Sequence, residues 1–158
     1  MFRPMADWVT YEALAPRILL HHPATTQDGQ PIKIDADGRF GRQRVHLIAP
    51  DRSEVYFELV VYPDPLDIER VLVGQRSFLV EQDETKTDVV MSEPRTAQLL
   101  GRPARQVDVE FTDHDGRFSR LFSFLNFQES AEPWGLRVIY DPTSPVNGEI
   151  LSRLEVGP

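Results

Sequence analysis

The side chains best suited to grip an anion are a run of arginines, Arg39, Arg42, Arg44 and Arg52, echoed later by Arg117 and Arg120. A guanidinium is a rigid fork of donors that matches a carboxylate or phosphate. The same stretches carry Asp35, Asp37, Asp113 and Asp115, so the plainer reading is outward hairpin charges that balance one another. If sequence can point to a binding site at all, Arg39, Arg42, Arg117 and Arg120 are its candidates.

Metal chemistry finds less support. The segments DADG and DHDG resemble the start of a calcium loop. Such a loop also needs oxygen ligands at its first, third and fifth positions and a glutamate at its twelfth. Lys33 and Phe111 stand in the first position here and cannot serve. Zinc would need converging imidazoles. His21 and His22 are neighbours on an expected strand, so they point to opposite faces. His46 falls mid-strand and His114 in a turn, so no metal or cofactor is expected. With no cysteine there is no disulfide, thiolate site or thiol nucleophile. No nucleophile elbow, phosphate loop, dinucleotide fingerprint or zinc-protease motif occurs. The expectation is therefore a chain that is not an enzyme. An unrecognised hydrolase or isomerase, which would need a cleft with a perturbed acid or histidine, comes third among the readings.

Composition narrows the partners. The chain has 158 residues, with 17 basic against 25 acidic side chains and a net charge of −8. Nucleic-acid affinity comes largely from Lys and Arg neutralising phosphates, so this balance argues against such a partner. No apolar run exceeds four residues, against the roughly 18 of a membrane span. Met1 to Trp8 lacks the apolar stretch of a signal peptide. The expectation is a cytoplasmic protein without direct membrane insertion, or an extracytoplasmic one should a leader be missing.

These residues must be positioned by strands and two helices. Arg17 to Pro23 reads as a strand ending at proline. Pro31 to Asp35 and Arg39 to Ala49 flank Asp37-Gly38, a turn pair that suits a hairpin. Glu54 to Tyr62 follows as a strand. From Asp67 to Gln82 the period changes: Ile68, Val71, Leu72, Phe78 and Leu79 make one helical stripe, with Asp67 as N-cap. Glu81 to Asp88 is a polar, acidic linker. Ala104 to Thr112 alternates as a strand, Asp115-Gly116 turns the chain, and Arg117 to Gln128 and Trp134 to Tyr140 complete the strands. Ser144-Pro145 opens a closing helix that presents Val146, Ile150, Leu151 and Leu154. Val55 to Tyr62, Leu121 to Phe127 and Leu136 to Tyr140 are apolar on both faces, so both faces of the sheet's middle need covers. The fold expected is α+β: an α/β/α sandwich with a mostly antiparallel central sheet and a helix on each face, one domain over 1–158.

One internal echo stands out. DADGRFGR (Asp35 to Arg42) returns as DHDGRFSR (Asp113 to Arg120), and 35–62 matches 113–140 at ten of 28 positions without a gap. This reads as a duplicated β-hairpin–β–helix unit, 8–83 and 88–156.

Four segments together resemble the PsbP-like family, which includes the photosystem II accessory protein PsbP, a Ran-binding nuclear relative and many small bacterial proteins. WVTYEALAPRILLHHPA (Trp8 to Ala24) is similar to its opening strand pair, and PDPLDIERVLVGQ (Pro63 to Gln75) to its proline-led helix. GRPARQVDVEF (Gly101 to Phe111) is similar to its turn into a long strand. LRVIYDPTSPVNGEILSRLEV (Leu136 to Val156) is similar to its last strand and closing helix. The resemblance implies a non-catalytic binding or assembly domain with no shared active site. Many bacterial members carry a signal and a lipidated cysteine, which this chain lacks. A soluble branch, the small acidic chaperones of type VI secretion effectors, works as cytoplasmic dimers that shield effector transmembrane helices. The functional expectation is accordingly a protein-binding module, a chaperone or adaptor that could form a homodimer. The alternative is a small-ligand domain with a pocket between sheet and helix.

Overall fold

The computed structural model describes residues 7–14, 17–39, 42–52, 54–77, 85–114, 116–125 and 134–156. The elements run β1 (Trp8–Leu14), β2 (Arg17–Pro23), β3 (Lys33–Arg39), β4 (Arg42–Ile48), β5 (Tyr56–Tyr62) and α1 (Ile68–Ser77). They continue with β6 (Thr87–Met91), β7 (Arg95–Leu99), β8 (Arg102–Asp113), β9 (Gly116–Leu125), β10 (Gly135–Tyr140), α2 (Pro145–Ser152) and β11 (Glu155–Val156). The large sheet has the order β3-β4-β5-β10-β9-β8-β6, and β7 also pairs with β8. A second sheet, β1-β2-β11, is separate from it. Among the described residues every strand pairing is antiparallel.

Two of the three apolar strands that sequence marks as covered on both faces, β5 and β10, lie side by side, and the third, β9, pairs with β10 on its other side. Phe57, Leu59, Val61, Leu136, Val138 and Tyr140 project to one face. There they join Ile18 and Leu20 of β2, Ile150 of α2 and Leu154 just beyond it. Ile139 projects to the other face, with Val107, Val109 and Phe111 of β8 and with Val71 and Leu72 of α1. Residues of α1 and of α2 therefore pack in different apolar clusters. Burying a side chain such as Phe57 or Leu136, each 0% exposed, contributes roughly 1.5–3 kcal/mol. The small sheet shares its face with α2.

Both helices begin where the sequence places them. Asp67 caps α1, its Oδ1 accepting from the Arg70 N–H at 3.4 Å, and α1 ends at Ser77. Phe78 and Leu79, the rest of the expected stripe, lie outside the described residues. Pro145 opens α2, but the Ser144 hydroxyl does not cap it. It donates instead to the Glu54 carbonyl at 2.5 Å. The fully buried Asn147 ties α2 to the sheet: its Nδ2 donates to the Asp141 carbonyl at 3.0 Å and its Oδ1 accepts from the Tyr56 N–H at 3.2 Å.

One expected turn is corrected. Asp37-Gly38 is not a reversal: Gly38 pairs with Gln43 inside the ladder, which runs on to Arg39 opposite Arg42. Residues 40–41, between Arg39 and Arg42, lie outside the described residues. The physical reason is register. As built, Ile34 and Ala36 oppose Leu47 and Val45, while Asp35 and Asp37 oppose His46 and Arg44. A turn at 37–38 would lose both sets of pairs. The second copy of the motif behaves as expected to within a residue, because Asp113 pairs with Gly116, which has φ +121.

About the β5/β10 seam, β3-β4-β5 stands opposite β8-β9-β10, with β6 and β7 added beyond β8.

Candidate functional site

The arginines singled out in the sequence do not converge. The β3–β4 reversal lies at the end of the sheet where β5 finishes and β10 starts, and the β8–β9 reversal lies at the other. At ~3.3 Å per residue over about six residues, Arg42 and Arg120 start about 20 Å apart along the strands. Arg42 is exposed. The side chains of Arg39 and Arg120 lie outside the described residues. Arg117 binds Glu110 at 2.8 Å. Arg52 binds Asp113 at 3.2 Å and covers the Phe118 ring, 4.5 Å from its centroid.

Arg44 is the most committed of the set. Its Nε donates to Glu58 at 3.0 Å, and its Nη1 lies 3.5 Å from Asp37 and 3.6 Å from Asp35. Burial works to lower its pKa, but the surrounding carboxylates, Glu58 first, raise it above the ordinary arginine value. Arg137 approaches Glu58 from the other side at 4.0 Å. The aspartates of the first DADG segment are thus spent on a guanidinium. This polar face of β3, β4 and β5 is an internally paired network with carboxylates in excess, not an open anion grip.

The histidines part as alternation requires. His22 is buried, with Nδ1 donating to the Pro23 carbonyl at 2.7 Å and Nε2 left without a partner. Burial lowers its pKa, partly offset by that hydrogen bond. His46 meets Tyr56 edge-on, centroids 5.1 Å apart. His21 faces outward.

A concavity among the described residues lies elsewhere. An open groove of about 890 Å³ runs between the β7–β8 turn and α2. Leu99, Leu100, Leu151 and Leu154 give it an apolar floor, and Gln98, Arg102, Ser152 and Glu155 stand around it. The turn is built from Leu100 at φ +56 and Gly101 at φ +71. A two-residue hairpin loop requires positive φ at both positions, and Asn or Gly supplies it at little cost. Leucine there costs on the order of 1–3 kcal/mol. That strain holds the half-buried Leu100 beside the groove. Across from it, Gly148 lies inside α2, and a Cβ built on it meets nothing within 4 Å. A second depression of about 410 Å³, lined by Trp8, Thr10, His21 and Arg153, shares Ser152 and Glu155 with the first.

Sequence reading missed this groove. Its signals were present: a glycine interrupting the closing helix, and Leu100-Gly101 between two strands. Neither residue type announces chemistry.

Searches for related proteins add no identity. No family model matches the chain, and no curated protein matches it. Among the described residues, no helix is long and apolar enough to cross a membrane.

Proposed function

We propose that this chain is a protein-binding module, an adaptor or chaperone of PsbP-like architecture with helices layered on both faces of its sheet, that takes an apolar segment of a partner protein in the groove between α2 and the β7–β8 turn. The observation that carries this reading is the open leucine floor facing the unfilled position of Gly148. A glycine inside a helix costs about 0.5–1 kcal/mol relative to alanine, and here the missing side chain leaves space over that floor.

Volume decides the size of the occupant. A membrane-spanning helix is a cylinder about 30 Å long and 10 Å across, roughly 2,400 Å³. The groove, at about 890 Å³, holds about a third of that. A short segment therefore suits it better than a whole transmembrane helix, which favours an adaptor over a full sheath. The groove also falls in the size range of small-ligand pockets, about 300–1,000 Å³. It lacks the convergent buried polar groups that orient a small molecule.

The test is a displayed-peptide selection on the full chain, counter-selected against Gly148→Phe, which would fill the groove. Enrichment of sequences with apolar anchors that bind the wild type and not the variant supports the proposal. If no peptide is enriched, or if enriched peptides bind both proteins equally, the groove is not the site. Small-molecule binding alone at Leu100 and Leu151 would move the reading to the ligand-binding alternative.

A further inference from the structure

The depression beside the groove holds a different arrangement. Thr10 of β1 stands opposite His21 of β2, and Glu155 of β11 lies diagonally across from His21 on its other side. The Thr10 Oγ1 to His21 Nδ1 distance is 2.8 Å, and His21 Nε2 lies 2.8 Å from Glu155 Oε2. An ionised carboxylate only accepts, so in the neutral imidazole the proton is assigned to Nε2. Nδ1 is then the bare nitrogen, and the Thr10 hydroxyl donates to it. That is the order of hydroxyl, base and orienting acid found in activated nucleophiles. All three line the 410 Å³ depression. Arg153 lines it too, with its guanidinium 4.0 Å from the Trp8 ring centroid and bound to Glu149 at 2.7 Å.

We propose that Thr10, His21 and Glu155 form an acyl-transfer site that hydrolyses simple carboxylic esters. The proposal stands apart from the groove and does not depend on it. It departs from the expectation of a non-catalytic domain, which rested on the absence of contiguous catalytic motifs and on the family resemblance. Thr10 Oγ1 attacks the ester carbonyl carbon as its proton passes to His21 Nδ1, and the carbonyl π pair moves onto oxygen. Collapse of the adduct breaks the bond to the leaving oxygen, which takes the proton from His21 and departs as an alcohol. Water then gives a proton to His21 and adds to the acyl-Thr10 ester. Expulsion of Thr10 Oγ1, which recovers that proton, releases the carboxylic acid. Glu155 steadies the imidazolium in both halves. No oxidant, reductant or metal enters the balance.

The experiment is p-nitrophenyl acetate hydrolysis by the full chain, with peptide mapping for an acetyl group on Thr10. Thr10→Val is isosteric and keeps strand propensity, and melting is followed in parallel. The expected result is an acetylated Thr10 and turnover that falls about 10²–10⁴-fold in Thr10→Val and His21→Gln. Thr10→Ser restores it, and Glu155→Gln slows it by tenfold or more while the melting temperature holds. A role limited to tying the strands together would move melting and not turnover. Wild-type turnover no faster than buffer overturns the proposal. So does equal turnover in Thr10→Val, even where His21→Gln is slow, because the imidazole would then be acting without the hydroxyl. Should Thr10→Val fail to fold, an acetyl on Thr10 that disappears in His21→Gln decides for it, and its absence from the wild type decides against.

Discussion

Three glycines make the packing measurable, one of them in the groove. A Cβ at Gly148, in α2, meets nothing within 4 Å, and the same holds for Gly74 in α1. Replacing either by alanine removes the backbone-entropy penalty of glycine with no steric cost. The expected gain is about 0.7 kcal/mol in each case. For a chain of this length that raises the midpoint of thermal unfolding by ~2 °C. With a urea slope of about 2 kcal/mol/M it moves the urea midpoint by ~0.35 M. Gly135 is the contrast: its Cβ would lie 2.6 Å from Leu66 Cγ and 2.9 Å from the Asp64 carbonyl oxygen. Gly135→Ala should lose about 1–3 kcal/mol, because backbone cannot yield as a side-chain tip can. Urea unfolding of the three variants, followed by circular dichroism, gives the signs directly. A destabilising Gly148→Ala would mean that the space over the leucine floor is filled, and the groove reading would fall with it. A neutral Gly135→Ala would refute the close approach of the α1 entry to β10.

Other outcomes follow from single side chains. Asn147→Ala removes its hydrogen bonds with the Asp141 carbonyl and the Tyr56 N–H, and should cost about 1–3 kcal/mol by urea unfolding. Because burial lowers the folded pKa of His22 below its value of 6.5, the unfolded chain binds the extra proton first as pH drops. The His22 contribution is whole above pH 6.5 and is lost below it, at up to about 1.4 kcal/mol per pH unit until the folded form also titrates. His22→Leu should flatten that limb of a stability profile, and an unchanged slope would count against the buried neutral imidazole. Glu58→Gln removes the charge shared by Arg44 and Arg137. It should cost about 1–3 kcal/mol, less than for a fully buried pair because Arg44 keeps Asp37 and some solvent. Added salt should narrow the gap only slightly.

Legibility in the sequence followed the range of the interactions. The central pair β5 and β10 was readable because apolar side chains on consecutive positions demand cover on both faces. The cap at Asp67 and the proline start of α2 are local rules and held. In the β1-β2-β11 sheet the β2 strand and its pairing with the opening segment were expected, but β11 was not readable. That last strand is only Glu155–Val156, and two residues become a strand only by pairing with Ile18 and Leu19. The misplaced turn shows the same limit: Asp37-Gly38 is good turn chemistry, but the cross-strand pairs of Val45 and Leu47 outweigh it. For the sites, the arginines were visible as charges while their partners, such as Glu58 for Arg44, were set by strand pairing. Thr10, His21 and Glu155 come from three separate segments, and no spacing rule joins them.

The way the large sheet ends bears on how the protein behaves at high concentration. β8 spans 12 residues, but its outer side is shared by β6 and β7, each five residues long. Between Thr87 and Val90 the β6 register slips, with Asp88 at φ +53. An incoming strand from another molecule would therefore find two short templates at different registers, not one long row of free amides and carbonyls. At the opposite margin, β3 offers Lys33, Asp35 and Asp37, charges that a second backbone could approach only by desolvating them. Neither margin of the sheet invites fibrillar growth. Exposed apolar residues such as Val90, 60% accessible on β6, can thus be carried without seeding aggregation.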